Sequence, residues 1–492
     1  MMKKAILASA VSAILLAGCG GGGGGDGFSV GADKSEDSPI CATGLECQQL
    51  EVPASYINDD GSKVKVFYAI HKATDTNNRI GTLFVNFGGP GQEAQASLAW
   101  MVNAGLFDQA IVERFDIVAL DPRGSGQSAY AKELKQCAVE LANNVNACDE
   151  FNTKSAVNIS TNTLVKDIDA LRAHLGEEQI SFLGYSYGTR VGSVYADLFP
   201  ERIRALVLDS PMSPKRGNFV EMNLDNAKGY DVVASYRLGT PERKQALDQG
   251  VTSLFNNGAI YGNDGELDLV TGVNAIFALR TKDSEGYWDH QKAGVFELLD
   301  NGKVSLLNRL VASTNWYQAD DQADAARTNA MFKSVVCADE STPLTFAEAN
   351  TYEPDFAQAS AVYGLRNFYS EANMCMNWVG ERDPMATVTE MDAKLQQPVL
   401  ILGGQYDPRT PYIWTEAMSE SFASLTRLIR VENIVEHGFS YRGNRCIDNA
   451  STAYLLDPSS ASNELVCDGS TLARSAGNTA LKPHPVMLNQ HF

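Results

Sequence analysis

Gly184-Tyr185-Ser186-Tyr187-Gly188 stands directly after an apolar run, residues 180–183, and shortly before a helix-like one, residues 191–199. A serine between glycines at such a junction is a sharp strand-to-helix turn. It lifts the hydroxyl clear of a sheet, and only glycines permit the close backbone packing at its flanks. The rest of the chain supplies that sheet. Short aliphatic or β-branched runs predict strands at residues 64–70, 82–87, 117–121, 180–184, 205–209, 399–403 and 428–431. The later runs are nearly continuous, as parallel strands buried on both faces should be. Residues 161–175 predict a helix, with Leu164, Ile168, Leu171 and Leu175 three and four apart. The fold class is therefore α/β, a mostly parallel sheet flanked by helices.

Between residues 215 and 396 the strand signal nearly vanishes. Polar helical stretches such as residues 319–333 replace it, with Trp288, Trp316 and Trp378 scattered among them. We read residues 216–396 as a large, mainly helical insertion that divides a core made of residues 41–215 and 397–492. A hydrophobic fraction of 44% with 20% charged residues suits a large core and excludes disorder for most of the chain. The net charge, 40 − 60 = −20, argues against a nucleic-acid partner, because phosphate binding needs a cationic surface.

The first residues carry a different signal. Lys3 and Lys4 precede an apolar run, residues 5–17, too short for a membrane span of about 20 residues but right for a signal peptide, residues 1–18. The run ends Leu16-Ala17-Gly18-Cys19, which resembles the lipobox of bacterial lipoproteins and implies lipidation of Cys19. Six glycines follow, so residues 19–40 read as a flexible tether from a membrane anchor. The other eight cysteines fall as sequence neighbours: Cys41 and Cys47, Cys137 and Cys148, Cys337 and Cys375, Cys446 and Cys467. Eight cysteines allow 105 pairings, and proximity favours the sequential one. No Cys-x-x-Cys or zinc-type histidine spacing accompanies them, so disulfides in an exported protein are expected and a metal is not.

Ser186 is the candidate nucleophile. Its oxyanion donors are sought in Asn86-Phe87-Gly88-Gly89-Pro90-Gly91, after the predicted strand 82–87, and at Tyr187. Pro90 has no N–H, which makes Gly89 the first choice and Gly88 the second. The absence of a phosphate-loop pattern and the acidic balance leave no nucleotide or other cofactor to expect. Serine needs a histidine to take its proton, and the histidine needs a carboxylate. Only His290, His437, His484 and His491 follow the serine. His290 lies in the insertion and the last two in a proline-containing tail, so His437, just after the last apolar strand, is the candidate base. Asp407, after the strand and turn 398–404, is the candidate acid. Asp209, at the end of 206–208, is read as a loop-capping residue.

Together with Asp121-Pro122-Arg123-Gly124-Ser125-Gly126-Gln127-Ser128, the segment 47–53 and Gly403-Gly404-Gln405-Tyr406-Asp407-Pro408-Arg409-Thr410-Pro411, these motifs resemble the tripeptidyl-aminopeptidase branch of the prolyl-iminopeptidase family of α/β-hydrolases. The resemblance runs from about residue 41 to 467 and is weakest in the insertion. It implies an α/β-hydrolase fold with the insertion as a cap, Ser186 as nucleophile, Asp407 as acid and His437 as base. Around His437 the family's usual Gly-His-Gly reads Glu436-His437-Gly438. Acidic groups in the cap of such aminopeptidases bind the substrate's free amine, which makes Asp339 and Glu340 candidates; a solvated acidic pair beside a disulfide is the alternative. The expectation is an exported, lipid-anchored serine hydrolase of the bacterial cell envelope, in the outer membrane, cleaving short peptides from free N-termini. A carboxylesterase or lipase-like hydrolase on the same scaffold is the competing reading.

Overall fold

The computed structural model describes residues 40–58, 60–215, 217–313 and 322–472. The predicted signal peptide, Cys19, nearly all of the tether, His484 and His491 lie outside them. A nine-stranded sheet forms the centre: β1 (Glu46–Pro53), β2 (Lys63–His71), β3 (Gly81–Asn86), β4 (Phe115–Leu120), β5 (Ile180–Tyr185), β6 (Ile203–Asp209), β9 (Val399–Gly404), β10 (Thr426–Glu432) and β11 (Glu464–Asp468). Their spatial order is β1-β2-β4-β3-β5-β6-β9-β10-β11. Only β1–β2 and β2–β4 are antiparallel; every other pair is parallel.

β3, β5 and β9 are buried along their whole length, which is why their sequences run apolar without alternation. Successive residues still serve opposite faces. Phe84, Val118, Phe182, Leu206 and Ile401 pack with Ile168, Val191, Val194 and Tyr195 of the helices Thr161–His174 and Tyr187–Leu198. Leu83, Val85, Leu183, Val207 and Leu402 pack on the other side with Leu98, Met101, Ile447 and Tyr454 of Ala94–Asn103 and Arg445–Leu456. The switch from β5 to the helix after it, and from β9 to the loop after it, thus occurs at the carboxyl edge of a rigid, doubly covered sheet.

Between β6 and β9 the chain leaves the sheet. Helices Phe219–Leu238, Pro241–Asn257, Leu269–Ala278, Tyr287–Asn301, Ser305–Ala312 and Gln322–Asp339 dominate this segment. Tyr230, Leu254, Ile276, Trp288, Val295 and Leu307 give it a hydrophobic cluster of its own. It also contains a hairpin that the sequence pattern did not suggest, β7 (Ala259–Gly262) with β8 (Gly265–Asp268). Four-residue strands are too short to show an alternation, and the turn Asn263-Asp264 between glycines is the signal that marks them. The edge strands β1 and β11 were also not predicted, because half-exposed edges carry charges among their apolar residues.

The disulfides are Cys41–Cys47, Cys137–Cys148, Cys337–Cys375 and Cys446–Cys467, the sequential pairing. No helix among the described residues is long and apolar enough to cross a membrane.

Candidate active site

β5 ends at Tyr185, and Ser186 takes φ 55° and ψ −123° before the helix Tyr187–Leu198 begins. A non-glycine residue held there costs about 1–3 kcal/mol, so surrounding contacts must impose it. They do. The Ser186 N–H donates to the Asp209 carbonyl at 2.9 Å, and the Ser186 carbonyl accepts from the N–H and hydroxyl of Thr189 at 2.9 and 2.6 Å. A Cβ on Gly184 would lie 2.2 Å from the Gly188 carbonyl oxygen, and one on Gly188 would lie 2.4 Å from that of Asn86. Both positions therefore require glycine. The Ser186 hydroxyl is buried and has no hydrogen-bond partner among the described residues.

Asp407 sits on the loop after β9. Its Oδ1 accepts from the N–H groups of Arg409 and Thr410 at 2.8 and 2.9 Å, and its Oδ2 from the Thr410 hydroxyl at 3.1 Å. His437, on the loop after β10, places Nδ1 2.9 Å from each Asp407 oxygen. An acceptor on that side assigns the proton to Nδ1 and leaves a lone pair on Nε2. Nε2 is buried and, among the described residues, unpartnered.

Asp209 makes no hydrogen bond to the imidazole. It is fully buried and takes the N–H groups of Phe439 and Ser440, at 3.0 and 2.7 Å, and the Ser440 hydroxyl at 2.7 Å. Burial pushes its carboxyl above the ordinary value, and these donors oppose the rise. Together with the Ser210 hydroxyl, which accepts the Gly438 N–H at 2.9 Å, it fastens the His437 loop to the end of β6. The same aspartate's carbonyl holds Ser186, so one residue ties the Ser186 turn to the His437 loop.

The loop after β3 presses on that turn. A Cβ on Gly88 would meet the Tyr185 carbonyl at 2.6 Å, Ser186 Cβ at 3.0 Å and the Tyr187 nitrogen at 3.3 Å. The Gly88 N–H is already given to Asn86 Oδ1 at 3.0 Å. Gly89 follows it in the loop, and Tyr187, as first residue of its helix, has an N–H with no intrahelical acceptor. Arg327 of the helix Gln322–Asp339 closes over this loop, its Nη1 donating to the Gly91 carbonyl at 3.4 Å and to that of Gly124, in the loop after β4, at 3.0 Å.

Asp339 and Glu340 are buried at the end of that helix, so they are not a solvated pair. Asp339 accepts from the N–H and hydroxyl of Thr161 at 2.9 and 2.5 Å, and the Thr161 hydroxyl also lies 2.7 Å from that of Tyr187. Burial raises the Asp339 carboxyl to about 7, against the Thr161 bonds. Glu340 accepts the Phe219 N–H at 2.9 Å and pairs with Arg382 at 3.2 Å. Both line a small pocket with Arg190, Lys215, Met222 and Met385. His290 stands apart, its Nε2 beside the Leu310 carbonyl and the Ser313 hydroxyl. The Thr410 hydroxyl on Asp407 escaped the sequence reading, although a threonine three residues after an aspartate in a proline-containing turn is a recognisable turn signal.

The profile of a family described as alpha/beta hydrolase fold matches residues 82–434. The serine protease Hip1 of Mycobacterium tuberculosis is 26% identical over 461 residues, 84% of this chain and 85% of that protein. The tripeptidyl aminopeptidase of Streptomyces lividans is 26% identical over 467 residues, 86% and 83% of the two chains. Carboxylesterase B of Mycobacterium tuberculosis is also 26% identical, over 472 residues and 86% of each chain.

Proposed function

The chain belongs to the alpha/beta hydrolase fold family, and from that premise we propose that it is a serine hydrolase acting as an aminopeptidase on short peptides with free N-termini. The observation that carries the reading is one pair of buried, unpartnered atoms, Ser186 Oγ and His437 Nε2, with Asp407 on the far side of the imidazole. Burying a polar group without a partner is costly, and a substrate bound between a nucleophile and its base would supply what each atom lacks.

In this reading His437 Nε2 takes the hydroxyl proton as Ser186 Oγ attacks the scissile carbonyl. Asp407 keeps Nδ1 protonated and stabilises the imidazolium. The N–H groups of Gly89 and Tyr187 receive the oxyanion, and Gly88 shapes the loop that presents them. His437 then protonates the leaving amine, and water repeats the sequence on the acyl-enzyme. The substrate's free amine is assigned to the pocket lined by Asp339 and Glu340, whose carboxylates retain acceptor capacity beyond the bonds they make. Four disulfides fit an oxidising compartment, and the lipobox-like segment supports anchoring at Cys19.

The relative named carboxylesterase B favours ester hydrolysis as the second reading. A tripeptidyl anilide with a free amine, its N-blocked counterpart and a short-chain p-nitrophenyl ester, assayed in parallel, separate the two. Turnover of the free-amine peptide alone is expected. Equal turnover of the blocked peptide would remove the amine site, and turnover of the ester alone would select the esterase.

A further inference from the structure

The residue that departs from the Gly-His-Gly pattern is a buried charge. Glu436, 1% exposed, directly precedes the base. Its Oε1 accepts the His437 N–H at 3.1 Å and Arg442 Nη1 at 3.1 Å. Its Oε2 accepts the N–H of Ser284 at 3.1 Å, from the segment inserted between β6 and β9. Ser284 belongs to the 3-10 turn Asp283–Glu285. The same turn binds the preceding residue of the base loop twice: the Asp283 N–H donates to the Val435 carbonyl at 2.7 Å, and Asp283 Oδ2 accepts the Val435 N–H at 3.0 Å. Its other end reaches the acid loop. Glu285 Oε1 lies 3.5 Å from Arg409 Nη2, and the Arg409 N–H is one of the donors on Asp407. Arg237 fastens the turn from behind, donating to Asp283 Oδ1 and the Thr281 carbonyl at 2.7 Å each.

One turn of the insertion therefore grips the neighbours of both the acid and the base. Burial pushes the Glu436 carboxyl up, but Arg442 and Lys282 outweigh it and hold it below the ordinary glutamate value, so it is charged. Buried charges of this kind are weak sources of stability, because desolvation offsets most of the pairing. What they do supply is fixed placement.

We propose that Glu436 and the turn Asp283–Glu285 are positioning groups through which the inserted segment sets the mutual geometry of His437 and Asp407. The inference rests on the Ser186-His437-Asp407 reading. Glu436 sets the base loop; Glu285, through Arg409, sets the acid loop. Neither group touches the reacting atoms.

Glu436→Gln keeps the shape and removes the charge. In the folded, disulfide-bonded variant, kcat and the rate of Ser186 labelling by a fluorophosphonate should fall about 10- to 100-fold, as for a misplacement near 1 Å. KM should stay within about twofold, since no substrate contact is lost. Glu285→Gln should lower kcat less, and the double variant should be no worse than Glu436→Gln alone, because both act through one turn. Should Glu436→Gln fail to fold, Glu285→Gln carries the kinetic test by itself. Unchanged kcat and labelling in a folded variant, or an effect confined to KM, overturns the proposal. If the wild-type chain is not labelled at Ser186, the catalytic reading falls first and this one with it.

Discussion

Ser186, His437 and Asp407 reach the site from three loops, after β5, β10 and β9; backbone groups fix much of Ser186 and Asp407, and the side chains of Asp407, Glu436 and Arg442 fix His437. Substitution should therefore expose chemistry rather than folding. Ser186→Ala should lower kcat by roughly 10⁶ and His437→Ala by a similar factor, with Asp407→Asn less severe at about 10⁴. Asp209→Asn should instead loosen the base loop and leave measurable turnover. Steady-state kinetics on the four purified variants decide it, and an inactive, folded Asp209→Asn beside an active Asp407→Asn would transfer the acid role. The three candidate residues stood out in the sequence because each follows an apolar strand, and folding brings His437 and Asp407 within 2.9 Å of each other. Thr410 and Glu436 were not legible. Their meaning lies in a partner, Asp407 or Ser284, that only folding brings near, and in Glu436 the sequence showed merely a departure from a pattern.

Interior strands announce themselves through unbroken apolar runs, whereas β1, β7, β8 and β11 are short or half-exposed and look like loops in the sequence. The helix Gln322–Asp339 shows how much an element can hold that composition hides. Asp339 at its end caps the helix Thr161–His174 at its first residue. Its carboxyl is raised from 3.8 to about 7, first by burial. In that interval the folded chain binds a proton the unfolded chain has lost, so this group's contribution is full below pH 4 and fades as pH rises through 7. Asp339→Asn should remove that dependence: between pH 5 and 8 the wild type should lose stability relative to the variant, as read by urea unfolding. Cys337, on the same helix, closes a loop with Cys375 across 38 residues. Loop-closure entropy makes its removal the most destabilising of the four, at about 4 kcal/mol against about 2 for Cys41–Cys47. Double Cys→Ala variants compared by thermal unfolding should show that order, and equal losses would contradict it.

Over the whole chain, the α/β sheet with its sequential disulfides agrees with what the sequence led one to expect, while the lipobox-like Cys19 stands outside the described residues and remains a proposal about the mature protein. A single acyl chain binds membranes only at about 10⁴ M⁻¹, so stable attachment needs several, as bacterial lipoproteins carry. A tether of glycines would let a domain with a net charge of −20 stand away from anionic headgroups. Cys19→Ala should release a soluble enzyme of undiminished specific activity; retention in the membrane fraction, or loss of activity after export, would refute the anchor. The sheet's order has a further consequence for biosynthesis. β6 ends at residue 209 and its parallel neighbour β9 begins at 399, so 399 − 209 = 190 positions separate two strands that lie side by side. At about 5–20 residues per second, about 10–40 s of synthesis separate the two strands. Throughout that interval the nascent chain holds Ser186 but neither Asp407 nor His437. Any turnover that needs all three residues is thereby postponed until almost the last strand has been made.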